Sequence, residues 1–194
     1  MKSKFVLIVM ILVGLSSSVY AKVITQPIAY THDGVSLEGF LVYDDTVSGK
    51  APGVLVVHEW WGLNDYAKLR AEMLAEMGYV AFAADMYGGG KKTRHADEAK
   101  GWMKQITAII DDWQRRANLA LEQLRSNPNV ESSKLAAIGY GFGGATVMQL
   151  AYVGFRCASD PKKFWKSRKK KVKKKKAPAK PASQPAGDQA GKTP

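Results

Sequence analysis

Residues 139–144 read Gly-Tyr-Gly-Phe-Gly-Gly, between the apolar stretch Lys134-Leu-Ala-Ala-Ile138 and the helical pattern Ala145–Tyr152. Strand, sharp turn and helix in that order form a nucleophile elbow, which presents an attacking side chain at the end of a buried strand. Glycines at its first and fifth positions, Gly139 and Gly143, let strand and helix approach closely around a strained turn. The residue between them would carry the hydroxyl or thiol that attacks an acyl carbon. Here that residue is Gly141, which has no side chain. The motif belongs to a hydrolase scaffold that lacks its central reagent.

The elements around the elbow follow from periodicity and turn residues. Ile24–Tyr30 and Val35–Tyr43 read as strands of a hairpin, with a turn at His32-Asp-Gly34. Gly53–His58 is a continuous apolar run, as in a strand buried on both faces. Asn64 or Asp65 can cap the helix that follows, which runs to about Met77 and ends at Gly78. Its Leu69, Met73, Leu74 and Met77 recur at helical spacing, which points the Met73/Met77 pair at the core. Tyr79–Met86 is a second buried strand, followed by a Gly88-Gly-Gly90 loop. Helical pattern then runs from about Ala96 to Arg125, in one piece or two, and Asn127-Pro-Asn129 stops it. Leu135–Tyr140 is the third buried strand and Gly143–Gly154 the helix after the elbow. Strand and helix alternating after an opening hairpin predict an α/β fold with a mainly parallel central sheet. Such sheets place ligand sites at the carboxyl ends of their strands. His58-Glu59, Asp85-Met86 and Gly141 all fall there.

The two ends of the chain read differently. Residues 1–21 have a basic start (Lys2, Lys4), an apolar run and a Val19-Tyr-Ala21 cleavage pattern, the marks of a signal peptide. Export to the periplasm or beyond is the expectation. The net charge of +12 is a property of the ends. From Cys157 to Pro194 there are thirteen Lys and Arg against two Asp, a net +11. The body is close to neutral and gives no reason to invoke a specific nucleic acid. Residues 157–194, rich in Lys, Ala and Pro, have a disordered composition. Eleven basic residues within Lys162–Lys176 could hold an anionic surface by electrostatics. The bland reading is a tail without selected function, of the kind a frameshift or fusion leaves. Cys157 is the single cysteine, so an intrachain disulfide and a cysteine-based zinc site are both excluded.

Three segments carry a resemblance. Val56-Val-His-Glu-Trp-Trp-Gly-Leu-Asn-Asp-Tyr66, Gly78-Tyr-Val-Ala-Phe-Ala-Ala-Asp-Met-Tyr-Gly88 and Ala137-Ile-Gly-Tyr-Gly-Phe-Gly-Gly-Ala145 closely resemble the dienelactone hydrolase family, in order, over roughly residues 23–155. The resemblance implies an α/β-hydrolase three-layer sandwich with residues 22–156 as its N-terminal part, truncated after the elbow helix. It also implies a Cys-His-Asp triad that opens lactones or cleaves small carboxylic esters, with no metal or organic cofactor. The family's cysteine falls on Gly141. Its thiol-contacting glutamate falls on Glu59. Its two oxyanion-binding backbone N–H groups fall on Trp60 and Phe142. In this fold class the triad runs nucleophile, acid, histidine. Here His32, His58 and His95 all precede Gly141, and the carboxylates after it are Asp160 and Asp188 in the basic tail.

The expectation is therefore a family member that does not catalyse the family's reaction. The alternative is an exported binding protein tethered to an anionic surface by its tail. His58 then reads as structural. Asp85 reads as a bonder of loop backbone, and Trp60 and Trp61 as walls of a cleft or lids on the core.

Overall fold

The computed structural model describes residues 22–157. The expected signal peptide and the basic tail beyond residue 157 lie outside the described residues. The chain opens with β1 (Val23–His32) and β2 (Val35–Asp44), paired antiparallel from Val23↔Asp44 to His32↔Val35. Asp33 and Gly34 close the hairpin with positive φ of 44° and 83°. A two-residue turn of this kind matches the twist of the strands it joins, and Asp is among the few side chains that tolerate it.

The order continues β3 (Ala51–Val57), α1 (Asp65–Glu76), β4 (Val80–Ala84), α2 (Ala96–Thr107), α3 (Ile110–Arg125), β5 (Val130–Gly139) and α4 (Phe142–Cys157). The five strands form one sheet in the order β1-β2-β4-β3-β5. β4, β3 and β5 run parallel, and the hairpin joins them through β2, antiparallel to β4. The long helical stretch is in two pieces, because Ile109 takes an extended backbone, φ −121° and ψ 96°.

Successive strand residues face opposite sides of a sheet, and β3 and β4 are apolar on both. Leu55, Val57, Phe82 and Ala84 join one core with Trp113 of α3 and Phe142 of α4. Val56, Ala81 and Ala83 join a second core under α1. Helices on both faces make the layered sandwich expected from the strand–helix order.

Two expectations are corrected. First, α1 does not turn its methionines inward. Asn64 caps it, its side chain accepting from the Ala67 N–H at 3.1 Å. The buried face is Ala67, Ala71 and Ala75, while Met73 and Met77 are 41% and 66% exposed and Leu69 is 50% exposed. Both stripes have helical spacing. The alanine stripe wins because small side chains let the helix axis sit close to Ala81 and Ala83. Second, β5 is an edge rather than a third fully buried strand. Most of its residues are half-buried or exposed, and among the described residues its only strand neighbour is β3. An apolar run identifies a strand without giving its place in the sheet.

Candidate active site

The loops leaving β3, β4 and β5 meet at the carboxyl end of the parallel strands. The last of them is the elbow. Gly141 has φ +53°, the left-handed conformation that strains any residue with a side chain. The turn is closed by the Gly143 N–H donating to the Tyr140 carbonyl at 2.9 Å and the Ala145 N–H to the Gly141 carbonyl at 3.0 Å. The two flanking glycines are required by contact. A Cβ on Gly139 would sit inside the backbone of Gly143. One on Gly143 would overlap the Val57 carbonyl and lie 2.8 Å from that of His58. A Cβ on Gly141 would meet nothing within 4 Å. The fold therefore holds the elbow's shape and leaves open space where a nucleophilic side chain would project.

The loop after β3 is fixed by His58, which is 2% exposed. Its Nε2 accepts the Met86 N–H at 3.2 Å, so its Nδ1 carries the proton and donates to the Glu59 carbonyl. Burial holds the imidazole below its ordinary pKa, against the opposing pull of the Glu59 carbonyl and the Asp85 charge. A neutral ring with both nitrogens committed to backbone is a structural histidine, as expected, and not a free general base. The Glu59 carbonyl also accepts from the Gly62 N–H at 3.3 Å. Carbonyl and N–H of one trans peptide lie in a common plane and point opposite ways. By fixing the Glu59 carbonyl, His58 therefore fixes the direction of the Trp60 N–H, one of the two expected oxyanion donors. The other, the Phe142 N–H, opens α4, where the first amides have no intrahelical acceptor.

Glu59 lines a recess of about 20 Å³ together with Gly139, Tyr140 and Arg70. It thus borders the two residues that precede Gly141. Trp60 and Trp61 pack against each other, with centroids 4.7 Å apart. Trp60 also reaches the core under α3 and α4.

Asp85 organises the loop after β4. Wholly buried, its carboxylate accepts N–H bonds from Tyr87 (2.9 Å), Gly88 (2.8 Å), Gly90 (3.0 Å) and Glu38 (3.2 Å). This is the backbone-bonding role read from the sequence. The loop is tied to its neighbour, since the Tyr87 hydroxyl donates to the Trp60 carbonyl at 3.1 Å and the Thr93 N–H to the Trp61 carbonyl at 3.0 Å. Burial pushes the Tyr87 phenol above its ordinary pKa, so it stays a donor.

The aromatic floor beneath the elbow was not legible beforehand. Phe142 stacks on Tyr87 (5.5 Å) and on Trp113 (5.8 Å), with His58 at 5.9 Å. The Trp113 indole N–H donates to the Thr146 hydroxyl at 2.9 Å, which ties α3 to α4. These residues come from four separate segments, and no local pattern links them. A turn residue's neighbour with an aromatic ring, Phe142 in Gly-Phe-Gly-Gly, was the one available hint. A cavity of about 350 Å³ lies at the far end of the strands against Tyr43, Gly78 and Asn129, away from all of these groups.

Comparison with known proteins agrees with this geometry. The model of the dienelactone hydrolase family matches residues 37–184. An Aquifex aeolicus (strain VF5) protein named "Putative carboxymethylenebutenolidase" is 29% identical over 129 residues, covering 65% of this chain and 54% of the relative. Among solved structures, a dienelactone hydrolase-like promiscuous phosphotriesterase, P91, from metagenomic libraries is 39% identical with a TM-score of 0.66, over 70% of this chain and 56% of that one. The structure titled m3DLH is 38% identical with a TM-score of 0.66, over 68% and 55%. The chain thus spans about half the length of the relatives it matches.

Proposed function

The chain belongs to the dienelactone hydrolase family, and on that premise we propose that it keeps the family's acyl-binding frame, suited to a lactone or small carboxylic ester, without turning the substrate over. One observation carries the reading. The elbow is built in full, with Gly139 and Gly143 in forced contact and Gly141 at positive φ, yet the position that should attack carries no atom beyond Cα. The nearby imidazole is no substitute, because His58 is neutral and bonded to backbone through both nitrogens. The backbone donors of Trp60 and Phe142 need no side chain and remain in the frame. Such donors with binding alone sustain roughly 10³–10⁴ over water in enzymes stripped of a triad member, which sets a ceiling on residual activity.

The test is hydrolysis of an activated aryl ester and of a simple lactone by the full chain, beside Gly141→Ala. Equal, near-background rates are expected. Turnover by the wild-type chain well above that of Gly141→Ala would sink the proposal.

A further inference from the structure

The hairpin turn and the start of α3 bring together three side chains far apart in the sequence. His32 ends β1, Asp33 begins the turn, and Asp112 lies in the first turn of α3. One ligand atom from each falls within 4.8 Å of the others. His32 is 5% exposed, and its Nε2 is buried with no hydrogen-bond partner among the described residues. It lies 3.9 Å from Asp33 Oδ2, beyond hydrogen-bond reach. Buried ring nitrogens are ordinarily satisfied, so this one points to a missing occupant.

Arg115 is the rival for the two carboxylates. Its guanidinium lies 2.9 Å from Asp112 Oδ1 and 3.7 Å from Asp33 Oδ2. Having only donors, it can neutralise the two carboxylates, and neither it nor any other described group makes a hydrogen bond to His32 Nε2. Arg116, whose charge reaches His32, Asp33 and Asp112, donates to the Met86 carbonyl at 2.9 Å.

We infer that His32, Asp33 and Asp112 form a site for a divalent transition cation, best matched by Zn²⁺, with Arg115 as its competitor. One imidazole nitrogen and two carboxylate oxygens suit Zn²⁺, which takes nitrogen and oxygen donors at about 2.0–2.2 Å and leaves a fourth position to water. Donors around such an ion stand roughly 3–4 Å apart. The His32–Asp33 separation already meets that, and Asp33, 60% exposed on its turn, has room to close the rest. An ion here would staple the β1–β2 turn onto α3. The site is independent of the elbow and of the proposed function.

The test is titration of the full chain with Zn²⁺ alone, against a chromophoric indicator, with Co²⁺ absorption to report the donor set. One equivalent should bind saturably, and Co²⁺ should show no thiolate charge-transfer band. His32→Ala should weaken binding on the order of 100-fold, and Asp112→Asn, a more exposed change, should weaken it in the same direction. Arg115→Met should tighten it. His95→Ala and Cys157→Ser should leave it unchanged. The inference is overturned if binding is absent, if His32→Ala and Asp112→Asn bind as the wild type does, or if Arg115→Met binds more weakly. In those cases the nitrogen is served by water and the cluster is an ion pair.

Discussion

Gly143→Ala is expected to destabilise the chain by about 3 kcal/mol or more, at or above the upper end of core overpacking. The added methyl would have to occupy the space of the Val57 carbonyl and approach that of His58 within 2.8 Å. Neither obstacle is a side chain that can rotate away. They belong to the last residue of β3 and the one after it, and the neighbours of β3 on either side are β4 and β5. Relief therefore requires α4 to lift from the sheet. That motion would open the stacking of Phe142 on Tyr87 and Trp113. Gly141→Ala is the control. Its methyl points into open space and costs only the left-handed backbone, about 1–2 kcal/mol. Urea denaturation followed by circular dichroism reads both. A Gly143→Ala midpoint equal to or above that of Gly141→Ala would refute the packing account of the elbow.

Asp85→Ala is the second large effect, again about 3 kcal/mol or more. Four N–H groups lose their acceptor at once, each buried donor left bare costing about 1–3 kcal/mol before the loop relaxes toward water. Three of those donors lie in the loop after β4, so the damage should be local before it is global. Limited proteolysis should cut first within residues 86–92. Asp85→Asn should fall between, since the amide keeps one oxygen but turns its NH₂ toward backbone donors. A neutral Asp85→Ala, or first cleavage elsewhere in the fold, would show that the carboxylate does not hold this loop.

Legibility divided along a physical line. Features fixed by a few adjacent residues were readable in the sequence. The Asp33-Gly34 turn announces itself through the φ values those residues accept, and a cap at Asn64 or Asp65 through their side-chain oxygens, the structure selecting Asn64. Gly139 and Gly143 did so through the close approach a strand–helix elbow needs. Features fixed by what lies across space were not. α1 offers two apolar stripes, and only the small side chains of β4 beneath it select Ala67, Ala71 and Ala75 over Met73 and Met77. The apolar run of β5 reads the same whether it is central or an edge. His58 was legible as a residue at a strand end. That it aims the Trp60 N–H depends on the Glu59 and Met86 backbone, and Met86 lies 28 residues away. The pairing of His32 with Asp112 is wholly tertiary, since eighty residues separate them.

The elbow is open, is held in shape by Gly139 and Gly143, and has no side chain at its central residue, Gly141. Gly141→Cys in a Cys157→Ser background tests all three properties together. The folded protein should be alkylated stoichiometrically by iodoacetamide, because the new side chain enters open space. It should still fail to turn over an activated ester, because no free base stands beside it among the described residues, His58 being bonded to backbone through both nitrogens. A thiol protected until the chain is unfolded would contradict the open elbow. Multiple turnovers of ester would contradict the absence of a free base beside the elbow among the described residues, and with it the proposal that this chain holds the family's frame without its chemistry.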